Sequence, residues 1–497
     1  MIYPTSEDTT PDLEEALGQE ELREIKQKSV IGAASYIGRT AILQVIGLAA
    51  SLFLSAFFSP EDFGIYGFVV QIIGLLIFFS DIGLAAALVQ KKTQPTDKEY
   101  QTAFTVQQLL SWLIVGVVGI ILATGVVQQK TGQVGVWVLL SLAFSFPLAT
   151  LKTIPSIILE RKLNFSKLVL PQIFEQLTFY SILVFLAWKG MGALAYAYAI
   201  LARSFIGVVV MMIIQPWKFG LALNKQALKV LISFGVKFQL ADFLARVKDQ
   251  LFFLALGWFL PLREFGYIQW AKTWSQYPYN LTVQNVLAVT FPTFSRLQGN
   301  KEALKKAIEK SIFFITLAIF PILIGMSVFI KPLVTVIPSY AKWQPAMLSF
   351  VLFTLSIGWA AISSPLVNTL TAIGEINSTL KLMAIWTVLT WVLTPLMIKI
   401  WGFNGVAIAA FIIAFTSFLP ILYVKKHISI KVWENVWRQL VAAGVMAGAG
   451  VIGMSFWNQN LMWLMIGMLG ASALYPLTLL VVGWRKIWVE IAGLKSK

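Results

Sequence analysis

Apolar segments of about 20 residues or more alternate with short polar connections along almost the whole chain. A helix needs about 20 apolar residues to cross a bilayer, whereas the strands of a membrane barrel alternate over about ten residues. The pattern therefore predicts an all-α, polytopic membrane protein with 14 transmembrane helices. The predicted spans are 30–58, 63–90, 104–124, 134–158, 168–187, 191–215, 229–259, 264–294, 311–330, 346–373, 378–399, 402–424, 436–456 and 461–483.

The first 29 residues differ from the rest because they are polar and carry eight acidic side chains. They lack the apolar region of a cleavable signal peptide. We expect residues 1–29 to form a cytoplasmic polar tail followed by a short amphipathic helix that leads into the first span.

Lysine and arginine are distributed unequally between the two sets of connections. The connections on the side of the N-terminus carry 26 of the 39 basic residues, those on the other side carry 6, and 7 lie within predicted spans. Basic connections stay in the cytoplasm, so this split places both termini inside. The net charge of +16 is then explained by basic loops that face anionic membrane lipid, and no nucleic acid partner is predicted.

Composition excludes several kinds of chemistry. The chain is 58% hydrophobic and 12% charged, with no cysteine and a single histidine, His427. These counts leave no thiolate or histidine-cluster metal site, and no P-loop motif for ATP is present. The predicted outer connections are short and carry no acidic catalytic motif. We therefore expect no metal, no cofactor and no enzymatic activity.

The two halves of the chain resemble each other. Phe63-Gly64 follows the first predicted span and Phe265-Gly266 follows the seventh, 202 residues later. Asn164 with Asn377 and Gly192 with Gly405 repeat at a spacing of 213. Matched positions of this kind indicate two six-helix lobes and two additional helices. The predicted domains are the tail 1–29, an N-terminal lobe 30–215, a C-terminal lobe 229–424 and two C-terminal helices 436–483.

Charged side chains within the predicted spans are the main functional signal. A cation at the centre of a span costs at least about 2.5–3.5 kcal/mol, so it is expected to face protein or a water-filled cavity. The cations are Arg39, Lys152, Arg203, Lys237, Arg246, Lys248 and Lys272, and the acids are Asp81, Glu175, Asp242 and Asp249. The surplus of three positive charges predicts a cavity that handles an anion.

Two predicted spans carry polar stripes. Asp242, Arg246 and Asp249 share one face of the seventh span, and Lys272, Gln276 and Asn280 share one face of the eighth. An alternative interpretation is that these charges form salt bridges between helices, and that Lys152 and Arg203 reach toward an interface. The acids Glu175, Asp242 and Asp249 are also candidates for binding a coupling ion.

Several motifs resemble those of a known family. They are Phe57-Phe58-Ser59-Pro60-Glu61-Asp62-Phe63-Gly64-Ile65-Tyr66, Asp81-Ile82-Gly83-Leu84-Ala85-Ala86-Ala87-Leu88-Val89-Gln90, Glu264-Phe265-Gly266-Tyr267 and Phe291-Pro292-Thr293-Phe294-Ser295. The pattern resembles the polysaccharide transporter family, the Wzx-type flippases within the multidrug/oligosaccharidyl-lipid/polysaccharide (MOP) exporter superfamily. The resemblance covers roughly residues 28–424.

The resemblance implies a flippase in the bacterial inner membrane. It would move an undecaprenyl-pyrophosphate-linked oligosaccharide from the inner to the outer leaflet by alternating access, for surface polysaccharides such as lipopolysaccharide. H⁺ or Na⁺ would be the coupling ion, and glycosyltransferases and a glycan polymerase would be partners. The residues expected to contact pyrophosphate and glycan are Arg39, Lys237, Arg246, Lys272, Gln276 and Asn280.

Three alternatives stay open at this stage. A multidrug exporter of the same superfamily would have an acidic cavity and usually twelve spans. A membrane enzyme of glycan assembly would usually carry a larger outer loop. A scaffold that does not transport is compatible with the sequence.

Overall fold

The computed structural model describes residues 19–80, 83–91, 93–226, 228 and 249–495, with side chains between residues 38 and 483. All regular secondary structure in these ranges is helical. Much of the predicted tail 1–29 lies outside them, as does Asp81.

Three 3₁₀ helices span 77–80, 338–346 and 402–404. The α-helices are α1 (Gln19–Phe57), α2 (Pro60–Leu76), α3 (Leu84–Gln90), α4 (Asp97–Ala123), α5 (Val126–Leu151), α6 (Thr153–Arg161), α7 (Phe165–Trp188), α8 (Leu194–Ile214), α9 (Asp249–Phe259), α10 (Leu262–Leu281), α11 (Val283–Leu297), α12 (Lys301–Val336), α13 (Met347–Ala372), α14 (Ile376–Trp401), α15 (Gly405–Phe415), α16 (Phe418–Lys425), α17 (Val432–Ile452), α18 (Met454–Trp457) and α19 (Leu461–Lys495).

Ten helical segments of the described residues are long and apolar enough to cross a membrane. The segment Ile376–Lys425 is 50 residues long and comprises α14, α15 and α16, where the sequence predicts two spans. The predicted eighth span corresponds to α10 and α11, which separate at Thr282. The chain is therefore an all-helical membrane protein that crosses the bilayer many times, and fourteen crossings remain a prediction.

The helices form two compact units. Unit 1 comprises residues 1–54 and 68–254, and unit 2 comprises residues 55–67 and 255–497. In unit 1, α7 and α8 form a hairpin, and α5 packs against α4 and α8. In unit 2, α12 contacts α11, α13, α17 and α19. The domain limits predicted from the internal repeat remain a prediction.

Helix α12 shows how the sequence builds the core of unit 2. Its buried apolar residues recur every three or four positions, which places them on one face of the helix. This face packs against apolar side chains of α13, α17 and α19. The buried stripe consists of Leu304, Ile308, Ile312, Ile315, Ile319 and Leu323.

The Ser59-Pro60-Glu61-Asp62 segment starts helix α2. The Ser59 backbone N–H donates to Asp62 Oδ2 at 2.8 Å, and the Asp62 backbone N–H donates to Ser59 Oγ at 3.2 Å. This reciprocal pattern is a capping box, and proline at the first helical position has no N–H to leave unpaired. The motif that carries the family resemblance therefore has a local structural role.

The two Phe-Gly pairs of the internal repeat meet in unit 2. A Cβ atom at Gly64 would overlap the backbone carbonyl of Leu262, and one at Gly266 would overlap that of Pro60. Pro60 and Leu262 are separated by 202 residues, as are Gly64 and Gly266. The contact is therefore reciprocal, and only glycine allows α2 and α10 to approach this closely.

Gly64→Ala is expected to destabilise the protein by about 1–3 kcal/mol, because the added methyl group meets a backbone carbonyl that cannot rotate away. The matched control is Gly444→Ala in α17, where a Cβ atom meets open space. The control should be neutral or gain up to about 1 kcal/mol, since alanine favours a helix. Thermal unfolding in detergent, followed by tryptophan fluorescence, measures both, and equal midpoints would contradict the close crossing.

Aromatic residues hold the end of α1 in unit 2. The Trp270 and Trp343 rings are stacked with centroids 4.7 Å apart, and both side chains are almost fully buried. Their indole N–H groups donate to Ser55, Trp270 to Oγ at 2.9 Å and Trp343 to the backbone carbonyl at 2.7 Å. Trp274 also donates to Ser55 Oγ, at 3.1 Å. Buried indoles of this kind contribute packing and a satisfied polar group together.

Candidate functional site

The predicted site residues fall into three groups. Arg39, Glu175 and Asp249 lie in unit 1, with Asp249 exposed at the start of α9. A second group, on α10 in unit 2, consists of Lys272, Gln276 and Asn280. The third group lies outside the described residues and consists of Lys237, Asp242 and Arg246.

Glu175 is the centre of the polar contacts in unit 1. It lies on α7 four residues after Pro171, and only 6% of the residue is exposed. Lys152 donates a hydrogen bond to Glu175 Oε1, and Arg203 Nε lies 3.7 Å from Oε2. A buried carboxylate needs such partners, because an uncompensated charge is costly away from water. Glu175 is therefore paired with two cationic side chains.

The backbone places Lys152 where its side chain reaches α7. Lys152 lies between α5 and α6, with φ −97° and ψ −3°, and its backbone N–H donates to the carbonyl of Ala149. Pro147 and Pro155 flank this break in the helical path. Proline removes a backbone donor and so favours a helix break nearby. The side chain of Lys152 is 21% exposed.

Arg203 and Gly207 approach Glu175 from α8. The Arg203 guanidinium carbon lies 5.6 Å from the centroid of the Phe179 ring, one turn after Glu175 on α7. A Cβ atom at Gly207 would overlap Glu175 Oε1, so glycine makes room for the carboxylate. The Arg203 side chain is 45% exposed, which leaves part of the guanidinium available to another group.

Arg39 contacts the same helix one turn earlier. Its Nη1 donates to Gln172 Oε1 at 2.5 Å. Gln172 and Glu175 are three residues apart on α7 and therefore lie on the same face. Arg39, Lys152 and Arg203 thus bring three positive charges to a face that carries one carboxylate. We call Arg39, Lys152, Gln172, Glu175 and Arg203 the unit 1 charge cluster.

Within the cluster as defined, three side chains are cations and one is a carboxylate, and all of them lie on or beside helices that qualify as membrane spans. Arginine can bind two oxygens of a phosphate at once, and lysine supplies a point charge. The sequence predicted Arg39 and Glu175 as site residues. Lys152 and Arg203 were also interpreted as side chains that reach toward a membrane interface. Gln172 was not predicted. Its position three residues before a buried acid was the signal available in the sequence.

The polar stripe on α10 is present as predicted. Lys272, Gln276 and Asn280 are half-buried and lie at intervals of four residues on an unbroken helix, so they share one face. Nearby, the Tyr279 hydroxyl and Ser364 Oγ are 2.9 Å apart and form a hydrogen bond. The stripe offers one cation and two amides within unit 2.

The described residues contain no group of three or more histidine, cysteine or acidic side chains that could hold a metal ion.

Solved structures with the same fold are transporters. The chain superimposes on a structure described as the lipid II flippase MurJ in an inward closed conformation, with a TM-score of 0.71 and 15% identity. The alignment covers 92% of this chain and 100% of that one. An inward-facing multidrug resistance MATE family transporter of the MOP superfamily gives a TM-score of 0.57 at 13% identity, over 79% of this chain and 98% of that one. The chain therefore shares its fold with these two membrane transporters.

The family follows from the sequence comparison. The chain belongs to the polysaccharide biosynthesis protein family, whose profile matches residues 53–348. A curated relative, the succinoglycan biosynthesis transport protein ExoT of Rhizobium meliloti (strain 1021), is 20% identical over 329 residues. That alignment covers 65% of this chain and 65% of the relative. The resemblance to polysaccharide transporters of the MOP superfamily is thereby confirmed.

Proposed function

We propose that this protein is a flippase of surface polysaccharide biosynthesis. It translocates an undecaprenyl-pyrophosphate-linked oligosaccharide from the inner to the outer leaflet of the bacterial plasma membrane by alternating access. The observation that carries the proposal is the unit 1 charge cluster, where three cations face one carboxylate among apolar helices. The fold shared with a lipid II flippase and the family assignment support a transporter of this kind.

Each charged member of the cluster has a proposed role. Arg39 and Arg203 bind oxygens of the pyrophosphate, since a guanidinium matches their geometry. Lys152 adds a third positive charge. Glu175 is the counter-ion of Lys152 and Arg203 before substrate arrives. Lys272, Gln276 and Asn280, together with Lys237 and Arg246, remain predicted contacts to the pyrophosphate or the glycan.

Coupling to an ion gradient remains part of the proposal. Glu175 accepts from Lys152, so H⁺ or Na⁺ at this carboxylate would have to displace an ammonium group. We therefore assign Glu175 to the cluster as a counter-ion. Asp242 and Asp249 remain the predicted positions for H⁺ or Na⁺.

The topology and partners are proposed from the sequence. The excess of basic residues on one set of connections supports cytoplasmic termini and an orientation in which substrate enters from the cytoplasmic side. Glycosyltransferases that assemble the lipid-linked glycan and a polymerase that extends it are the expected partners. Genes for such enzymes beside this one would support the proposal.

A multidrug exporter is the second candidate, because a multidrug resistance transporter shares the fold. Drugs of this class are often cations, and a site with surplus positive charge repels them. The charge of the unit 1 cluster therefore favours the flippase.

Reconstituted vesicles test the two functions against each other. Wild-type protein is expected to move a fluorescent undecaprenyl-pyrophosphate-linked glycan across the bilayer at least about tenfold faster than protein-free vesicles, and to leave tetraphenylphosphonium transport at background. Transport of the cation without the glycan would support the multidrug exporter. Transport of neither, under either an H⁺ or a Na⁺ gradient, would favour a scaffold or an enzyme of glycan assembly.

A further inference from the structure

A basic pocket lies in unit 2 where α16 ends and α12 begins. Its volume is about 300 Å³, and it is lined by Lys301, Glu302, Lys425, Lys426 and His427. The distribution of basic residues predicts that this end of the helices faces the cytoplasm. The pocket is lined by residues of unit 2, and none of them belongs to the unit 1 charge cluster.

The connection that forms one wall of the pocket is held in place. The Lys431 backbone N–H donates to Glu309 Oε1 at 2.8 Å, which ties the connection to α12. Ile428 and Ile430 are buried in the same apolar core as Leu304. A fixed backbone wall lowers the ordering cost of binding to that of the exposed lysine side chains themselves.

The pocket is positively charged. Three lysines face a single acid, Glu302, whose Oε2 is also 4.0 Å from Lys305 Nζ. His427 Nε2 lies 3.7 Å from Glu375 Oε1. Lys301 is the first residue of α12, a helix of 36 residues. The positive end of the helix dipole therefore adds to the positive electrostatic potential of the pocket. A helix start with convergent lysines favours a phosphate group.

An apolar stripe leads along α16 to the pocket. Phe418 and Leu422 are 49% and 51% exposed and lie eight and four residues before Lys426, respectively, on the same helical face. The Lys426 ammonium lies 5.1 Å from the centroid of the Tyr423 ring. Exposed apolar residues below a basic group match the arrangement of acyl chains below a phosphate in a leaflet.

We propose that this pocket binds the phosphate of an anionic phospholipid, with its acyl chains along the exposed face of α16. The lipid thereby links the end of α16 to the start of α12. Inorganic phosphate shares the headgroup chemistry but makes no contact with Phe418 or Leu422. The stripe therefore favours the lipid as the source of the phosphate.

The test measures lipid binding to the delipidated full-length protein in detergent by native mass spectrometry. The probes are phosphatidylglycerol, phosphatidylcholine and inorganic phosphate. Wild-type protein is expected to bind phosphatidylglycerol saturably and phosphatidylcholine at least about fivefold more weakly. Lys425→Gln/Lys426→Gln should raise the Kd for phosphatidylglycerol at least about tenfold, because two positive charges leave the pocket.

The matched control is Lys306→Gln/Lys381→Gln, which removes the same charge from exposed positions on the same predicted face. Its Kd for phosphatidylglycerol should stay within about twofold of wild type. Glu302→Gln removes the acid of the pocket and should tighten binding, which gives a gain-of-affinity readout if the lysine variant folds poorly. Equal binding by the pocket and control variants would overturn the proposal. Saturable binding of inorganic phosphate without binding of phosphatidylglycerol would overturn the lipid assignment.

Discussion

Glu175→Gln is expected to lower the free energy of unfolding by about 2–3 kcal/mol, less than the roughly 3–5 kcal/mol lost when a fully buried ion pair is broken. The substitution leaves Lys152 and Arg203 without their counter-ion among apolar helices. The loss is moderated because these side chains are 21% and 45% exposed and can recruit water. Glu302→Gln is the control, since that side chain is 75% exposed and its pair contributes little.

The double variant Glu175→Leu/Lys152→Met is expected to recover most of that loss. Replacing both partners of a buried pair by apolar residues is often neutral or stabilising. Arg203 then remains solvated and stacked on Phe179. Tryptophan fluorescence reports thermal unfolding in detergent, because the chain has 18 tryptophans and no cysteine for thiol dyes. If Glu175→Gln unfolds at the wild-type midpoint, the carboxylate is not the counter-ion of this cluster.

The second large effect is expected on transport. Arg39→Gln/Arg203→Gln removes the surplus positive charge of the cluster and leaves the Lys152–Glu175 pair in place. Each hydrogen bond from a charged group contributes about 1.5–3 kcal/mol, and about 1.4 kcal/mol corresponds to a factor of ten. Loss of two guanidinium groups should therefore slow pyrophosphate-dependent translocation at least about tenfold. Stability should change little, because the buried ion pair survives.

The fold class could be predicted from the sequence because apolar length and basic connections are local signals. The resemblance carried by Pro60-Glu61-Asp62-Phe63-Gly64 pointed to the correct family. The reciprocal crossing of Gly64 and Gly266 could not be read from the repeat, since identical spacing does not require contact. The sequence places Tyr277-Pro278 within the eighth predicted span, where a proline can kink a helix. The structure separates α10 from α11 four residues later, at Thr282.

The sequence predicts which charged residues lie within the spans, but it does not predict which side chains they contact. Arg39 and Glu175 were identified because charges within apolar segments are rare. Their partners depend on which helix faces which. Gln172 is 133 residues from Arg39 along the chain, and Lys152 is 23 residues from Glu175. The contacts of Lys152 and Arg203 with one carboxylate match the alternative interpretation in which the intramembrane charges form salt bridges between helices.

Pyrophosphate binding by the unit 1 charge cluster is tested most directly with vesicles that contain the Arg39→Gln/Arg203→Gln variant. The quantity measured is the initial rate at which an undecaprenyl-pyrophosphate-linked glycan is translocated. The matched control, Lys189→Gln/Lys399→Gln, removes the same charge from exposed positions outside the cluster. The control is predicted to retain the wild-type rate within about twofold, and the cluster variant to fall at least about tenfold at equal protein and equal unfolding midpoint. A cluster variant that matches the control would contradict the proposal that the unit 1 charge cluster binds the pyrophosphate.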